Sequence, residues 1–218
     1  IFQNNYILLN DEKTGLYADL FSSGLKLYDF VNKKDILQLS LPYKTEEMKR
    51  FELTGDNKYI FLGGAKNTVS GFSLPSGKNL FNTVYDTSLE KGVNFIRYDS
   101  IRQKLYVIGK KDRIVVIDPF NGNVTATLLA DRPQTIEVSP LFLYITCDKS
   151  LVYKYDAKTL KLLKKIKVHK SGIDCYGSVM SYDYKYLVVQ VADKFVTLDT
   201  RTEKLLYEKY DHDYANGT

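Results

Sequence analysis

Lys104-Leu105-Tyr106-Val107-Ile108-Gly109-Lys110-Lys111-Asp112-Arg113-Ile114-Val115-Val116-Ile117-Asp118-Pro119-Phe120-Asn121-Gly122-Asn123-Val124-Thr125-Ala126-Thr127-Leu128 reads as three short strands joined by two turns. An apolar run, Leu105 to Ile108, meets a charged corner, Lys110 to Arg113. A β-branched run then closes at Asp118, the turn Pro119 to Gly122 follows, and an alternating strand starts at Val124. One such meander cannot bury both of its faces, so it needs neighbours.

The neighbours are further copies. The position of Asp118 recurs at Asp29, Ser73, Asp156 and Asp199, each closing an apolar strand. The successive spacings are 44, 45, 38 and 43 residues, at or near the roughly 40 to 45 residues of a four-stranded repeat. A polar turn and another apolar strand follow each anchor, and a strand such as Tyr59 to Leu62 or Tyr186 to Val189 precedes the last four. No helical period is sustained along the chain, which is expected to be almost entirely β.

These repeats resemble β-propeller blades of the WD40 type, whose third strand ends in an aromatic-Asp pair. Tyr28-Asp29 and Tyr155-Asp156 match that slot, with Ile117-Asp118 and Leu198-Asp199 as apolar versions. His169, Ser181 and Asp183 resemble the blade-opening His and the Ser-x-Asp turn. Repeat three is equally similar to a YVTN-type blade through Leu105-Tyr106-Val107 and Val124-Thr125-Ala126-Thr127. The chain departs from both patterns in having no Trp and no Gly-His pair, and in carrying Ser73 at one anchor. The resemblance implies an all-β propeller of four-stranded antiparallel blades. About five are expected, near residues 1–41, 50–86, 92–130, 134–168 and 172–210, in one domain (1–210) with a polar tail (211–218). Closure of such a ring implies a larger, seven-bladed propeller with five blades supplied here, and a closed ring of five blades is the alternative.

The chain has 218 residues and a net charge of +5. No stretch approaches the roughly 18 consecutive apolar residues of a membrane-spanning helix, so a soluble protein is expected. Cys147 and Cys175 lack metal-site or disulfide-framework spacing and are expected to be a free buried pair, which favours an intracellular, cytoplasmic or nuclear setting. Gly63-Gly64 has no phosphate-loop context and is expected to mark a close crossing of strands. His169 is expected to pack within its repeat.

Two groups stand out as a candidate interaction surface. Tyr43, Tyr98, Tyr182 and Tyr184 are expected on loops, where exposed aromatics anchor partners. Lys161, Lys164, Lys165 and Lys167 belong to the basic run Lys158 to Lys170, on an expected outermost strand where lysines deter edge pairing or contact a phosphate backbone. No residue is assigned to catalysis, to a cofactor or to a metal. The leading expectation is a non-catalytic protein-interaction scaffold in a multi-subunit complex. A nucleic-acid-associated propeller subunit and a lactonase or quinoprotein-like enzyme are the alternatives.

Overall fold

The computed structural model describes residues 6–9, 12–19, 24–42, 48–74, 76–85, 92–109, 112–170, 172–192 and 194–210, with the side chains of 6–8, 18, 19 and 207–210 left aside. Twenty strands in these residues form five four-stranded sheets. The first sheet holds β1 (Tyr6–Leu8), β2 (Thr14–Asp19), β3 (Gly24–Asp29) and β4 (Lys34–Ser40). The second holds β5 (Arg50–Leu53), β6 (Tyr59–Gly63), β7 (Thr68–Ser73) and β8 (Asn79–Val84). β9 (Phe95–Asp99), β10 (Lys104–Ile108), β11 (Arg113–Ile117) and β12 (Val124–Leu129) make the third. The fourth comprises β13 (Pro133–Val138), β14 (Phe142–Cys147), β15 (Leu151–Asp156) and β16 (Leu162–Lys167). The fifth comprises β17 (Cys175–Met180), β18 (Tyr186–Val191), β19 (Lys194–Asp199) and β20 (Leu205–Tyr210). Strand order follows chain order in every sheet, an arrangement compatible with a propeller-like repeat.

The anchor residues hold the repeat together locally. Oδ1 of Asp29 accepts the amides of Val31 and Asn32, and Oδ1 of Asp118 those of Phe120 and Asn121. Asp156 and Asp199 do the same for Lys158 and Thr159, and for Arg201 and Thr202. A carboxylate at the strand end thus satisfies amides that the turn leaves without ladder partners. Four residues after each anchor the backbone turns left-handed, at Lys33, Gly77, Gly122, Leu160 and Glu203 (φ 52 to 75°). Glycine takes that conformation freely and the others at a cost, so one turn geometry is imposed on five different sequences.

The chain divides into two compact units, 1–110 with 115–127, and 111–114 with 128–218. In the first unit two apolar layers lie between successive sheets. Leu16, Leu25 and Leu39 pack on Ile60, Leu62 and Phe72, and Phe61, Val69 and Phe81 pack on Ile96, Leu105 and Val107. In the second unit Tyr144, Val152 and Ile166 pack on Leu187, Val189 and Leu198. Alternation at period two sends one set of side chains forward and the next set backward, so an inner sheet is apolar on both faces. Gly63 fulfils the expectation of a close crossing, since a Cβ there would lie 2.5 Å from Val93 Cγ1.

Tyr98 is not on a loop. It lies in β9, half-buried, with its ring centroid 5.3 Å from that of Phe61, and burial raises its phenol above the ordinary value. The turn begins one residue later, where Asp99 Oδ1 accepts the amides of Ile101 and Arg102. Cys147 and Cys175 are buried and form no disulfide. His169 Nε2 lies 3.4 Å from Lys194 Nζ. No helix among the described residues is long and apolar enough to cross a membrane.

Candidate interaction surface

The turn between β17 and β18 is built almost entirely by its own side chains. Ser181 Oγ donates to Asp183 Oδ1 (2.8 Å) and accepts from Tyr186 N (2.9 Å), and Asp183 Oδ1 also accepts from Lys185 N. Lys185 Nζ sits 3.0 Å from Asp183 Oδ2, and these bonds hold the Asp183 carboxyl down at about 2. The turn thereby fixes the residue at its tip, Tyr182, whose side chain is 100% exposed.

The second sheet contains the same turn with different passengers. Thr54 and Asp56 repeat the Ser181–Asp183 bond at 2.7 Å, Tyr59 N donates to Thr54 Oγ1, and Lys58 pairs with Asp56. Gly55 stands where the fifth sheet has Tyr182, and Asn57 where it has Tyr184. Asn57 and Tyr184 share a left-handed backbone (φ 56 and 60°), which Asn tolerates and a bulky aromatic does not favour. The turn therefore needs neither tyrosine for its own construction. Both are presented to solvent, at 100% and 42% exposure.

Beside this turn lies one face of the fifth sheet. Leu187, Val189, Val191, Val196 and Leu198 point toward the fourth sheet and are buried. The register pairs Val179 with Val188, Val188 with Thr197 and Gln190 with Phe195 on the opposite face. There Val179, Tyr186 and Phe195 are exposed, and Tyr176 is exposed at the neighbouring β-bulge. The fifth sheet thus exposes tyrosines at its β17–β18 turn and further aromatic and aliphatic side chains on this face.

The basic strand is a different environment. β16 is the last strand of its sheet, and its lysines are exposed, as edge protection requires. Two of them are already engaged. Lys164 Nζ is 2.5 Å from Glu203 Oε2, and Lys165 Nζ lies 4.5 Å from the centre of the Tyr153 ring, where the hydrogen bond to that phenol raises its pKa. Lys161 and Lys167 are exposed. A cleft of about 540 Å³ opens beside Lys165, lined also by Arg113, Asp112, Asp131, Leu129 and Tyr153. Tyr153 Oη donates to Asp131 Oδ2 at 2.5 Å. With two cations facing two carboxylates, the cleft has no net preference for an anion.

No protein-family model matches the chain, and no curated protein matches its sequence. The surface must be read from its own chemistry. Of the residues singled out in the sequence, the structure brings Tyr182 and Tyr184 together on one turn and Lys161, Lys164, Lys165 and Lys167 along one edge. It removes Tyr98 to a strand, and Tyr43 lies outside the described residues. Sequence reasoning did not single out Val179, Tyr186 or Phe195, which are exposed on the fifth sheet. The available signal was that β18 carries Tyr186 and Val188 on the face opposite Leu187, Val189 and Val191, with Gln190 as the one polar residue, so neither face alternates to a polar solvent side.

Proposed function

We propose that the chain is a non-catalytic scaffold of the WD40-like propeller kind, which holds a partner protein through the aromatic surface of its fifth sheet. The observation that carries this reading is the pair of matched turns. A hydrogen-bonded frame that the second sheet completes with Gly55 and Asn57 is completed here with a fully exposed Tyr182 and a left-handed Tyr184. Rigid tyrosines with apolar neighbours are the usual anchors of protein interfaces, because they bury large area at small entropic cost. The two buried thiols, free of any disulfide, support an intracellular setting.

A protein partner fits better than a nucleic acid. The lysine edge has part of its charge committed to Glu203 and Tyr153, and contacts to a phosphate backbone would have to come from what remains. The test is purification of the tagged chain from its native cells at moderate and at high salt, beside a Tyr182→Ser, Tyr184→Asn variant. A stoichiometric protein that survives high salt with the wild type and is lost with the variant supports the scaffold. Nucleic acid that is shed as salt rises, with no protein dependent on the tyrosines, overturns it.

A further inference from the structure

We infer that the cleft beside Lys165 binds a small zwitterion, a free amino acid or short peptide whose ammonium and carboxylate flank an aliphatic side chain. Its lining residues all belong to the second unit and none to the Tyr182 turn, so the inference goes beyond the proposed function and does not rest on it.

Two walls and the bonds between them build the cleft. One wall is the corner at Asp112 and Arg113 with the segment Leu129 to Arg132: Ala130 N donates to Asp112 O at 3.1 Å, and Arg132 N to Asp112 Oδ1 at 3.0 Å. The other wall is Tyr153 on β15 with Leu162 and Lys165 on β16. Tyr153 Oη donates to Asp131 Oδ2 at 2.5 Å, Lys165 donates to the same phenol, and Tyr155 Oη donates to the Leu129 carbonyl. Tyr153 and Tyr155 are themselves buried, so the walls are tied together at their base and the cleft is formed before any ligand arrives. Packing alone does not ask for this chemistry. Elsewhere in the second unit Val168 N donates to Ser150 O at 2.9 Å, the counterpart of the Ala130 bond to Asp112. There the third strand supplies Val196 and Leu198 at the positions of Tyr153 and Tyr155, and both lie in the apolar layer. That junction packs without a buried phenol or a charged rim.

What the cleft offers is spare bonding capacity of both signs. Among the described residues the Arg113 guanidinium has no partner. Asp131 keeps Oδ1 after its bond to Tyr153, Asp112 keeps Oδ2 after its bond to Arg132 N, and the Lys165 ammonium has further protons to donate beyond the phenol. An anion alone would bring its charge up to two carboxylates, and a cation alone would bring its charge up to Arg113 and Lys165. A molecule with both charges makes charge-assisted hydrogen bonds to both sets. Between them Leu129 is 66% and Leu162 43% exposed, an aliphatic surface that the body of such a ligand covers. The volume of about 540 Å³ is that of a small-molecule site, enough for roughly one to three residues.

The test is isothermal titration of the full chain with leucine and with leucyl-leucine, each compared with its N-acetylated, its amidated and its glycine counterpart. At least one of the two parents should bind one-to-one, and which of them binds distinguishes an amino acid from a peptide. Losing the ammonium, the carboxylate or the aliphatic side chain should each weaken binding about tenfold. Arg113→Gln should weaken the parent and leave the amidated form unchanged. Asp112→Asn with Asp131→Asn keeps the oxygens that Arg132 N and Tyr153 use; it should weaken the parent and leave the acetylated form unchanged. No binding of either parent at about 10 mM overturns the inference. So does an acetylated or amidated form that binds as tightly as its parent, because the cleft then takes an anion or a cation alone. Parent binding that neither variant changes also overturns it, because the ligand then sits elsewhere.

Discussion

Replacing Glu203 by Gln should destabilise the second unit by about 2 kcal/mol, while replacing its partner Lys154 by Met should cost little. Glu203 holds Lys154 at 2.6 Å and Lys164 at 2.5 Å. The Lys154 side chain is 10% exposed and that of Glu203 19%. Breaking a fully buried ion pair costs about 3–5 kcal/mol, chiefly because one charge is left without a counterpart. Two features reduce that figure here. The pair is not fully desolvated, and Lys154 Nζ keeps the Phe142 ring at 4.0 Å, a contact of roughly 1–2 kcal/mol when partly buried. Lys154→Met instead removes the buried cation, fills its space and leaves Glu203 paired with Lys164, so a change within about 1 kcal/mol is expected. The double variant should then resemble Lys154→Met alone, a coupling of about 1–2 kcal/mol. Urea unfolding followed by tyrosine fluorescence and far-ultraviolet dichroism measures this, and the absence of Trp keeps the tyrosine signal clean. Lys154, then Lys164, holds the Glu203 carboxyl below its ordinary range. Its folded pKa is depressed, so its contribution is present above the ordinary glutamate value of about 4.3 and is lost as pH falls through the lower folded value. The Gln variant should lack that acid-side loss. A Gln variant within about 0.5 kcal/mol of wild type, or a Met variant worse than the Gln variant, would refute the reasoning.

Three further outcomes follow from particular contacts. Gly63→Ala places a Cβ 2.5 Å from Val93 Cγ1 and 2.9 Å from Ile96 Cδ1, and should cost about 1–3 kcal/mol by overpacking; an unchanged urea midpoint would mean that the crossing is looser than described. Burial pushes the Cys147 thiol up and that of Cys175 to about 12, so neither should react with Ellman's reagent at mildly alkaline pH until the chain is unfolded, when both should. Fast labelling of the native protein would contradict this. The Asp183 carboxyl, held at about 2 by Lys185 and Ser181, contributes above its unfolded value and loses that contribution only as pH falls through about 2. Amide shifts of Tyr184 to Tyr186 should therefore stay constant to about pH 3, and a transition near the ordinary aspartate value of about 3.9 would be the contrary result.

The repeat was legible because its determinants are local. An Asp that caps the two amides after a strand needs no tertiary context, and it recurs at Asp29, Asp118, Asp156 and Asp199 with the spacing of a four-stranded unit. Tyr98 was misplaced because a strand ending in Tyr-Asp and a turn starting there look alike; the deciding fact is the ring of Phe61, supplied from a different sheet. Lys154 and Glu203 meet over 49 residues of sequence, and nothing local announces the contact. The left-handed Glu203 became predictable only once five turns could be superposed. The exposure of Tyr186 and Phe195 was hidden for a similar reason: both have the pattern of buried residues, and what covers a side chain is not a property of its own strand.

The central claim is that the fifth sheet and its Tyr182 turn are where a partner sits. Hydroxyl-radical footprinting of the native complex against the free chain tests it most directly. The account predicts that Tyr182, Tyr184, Tyr186 and Phe195 lose reactivity together on partner binding, while exposed side chains of the first unit such as Ile101 are unchanged. Full reactivity of those four residues with the partner bound would contradict it.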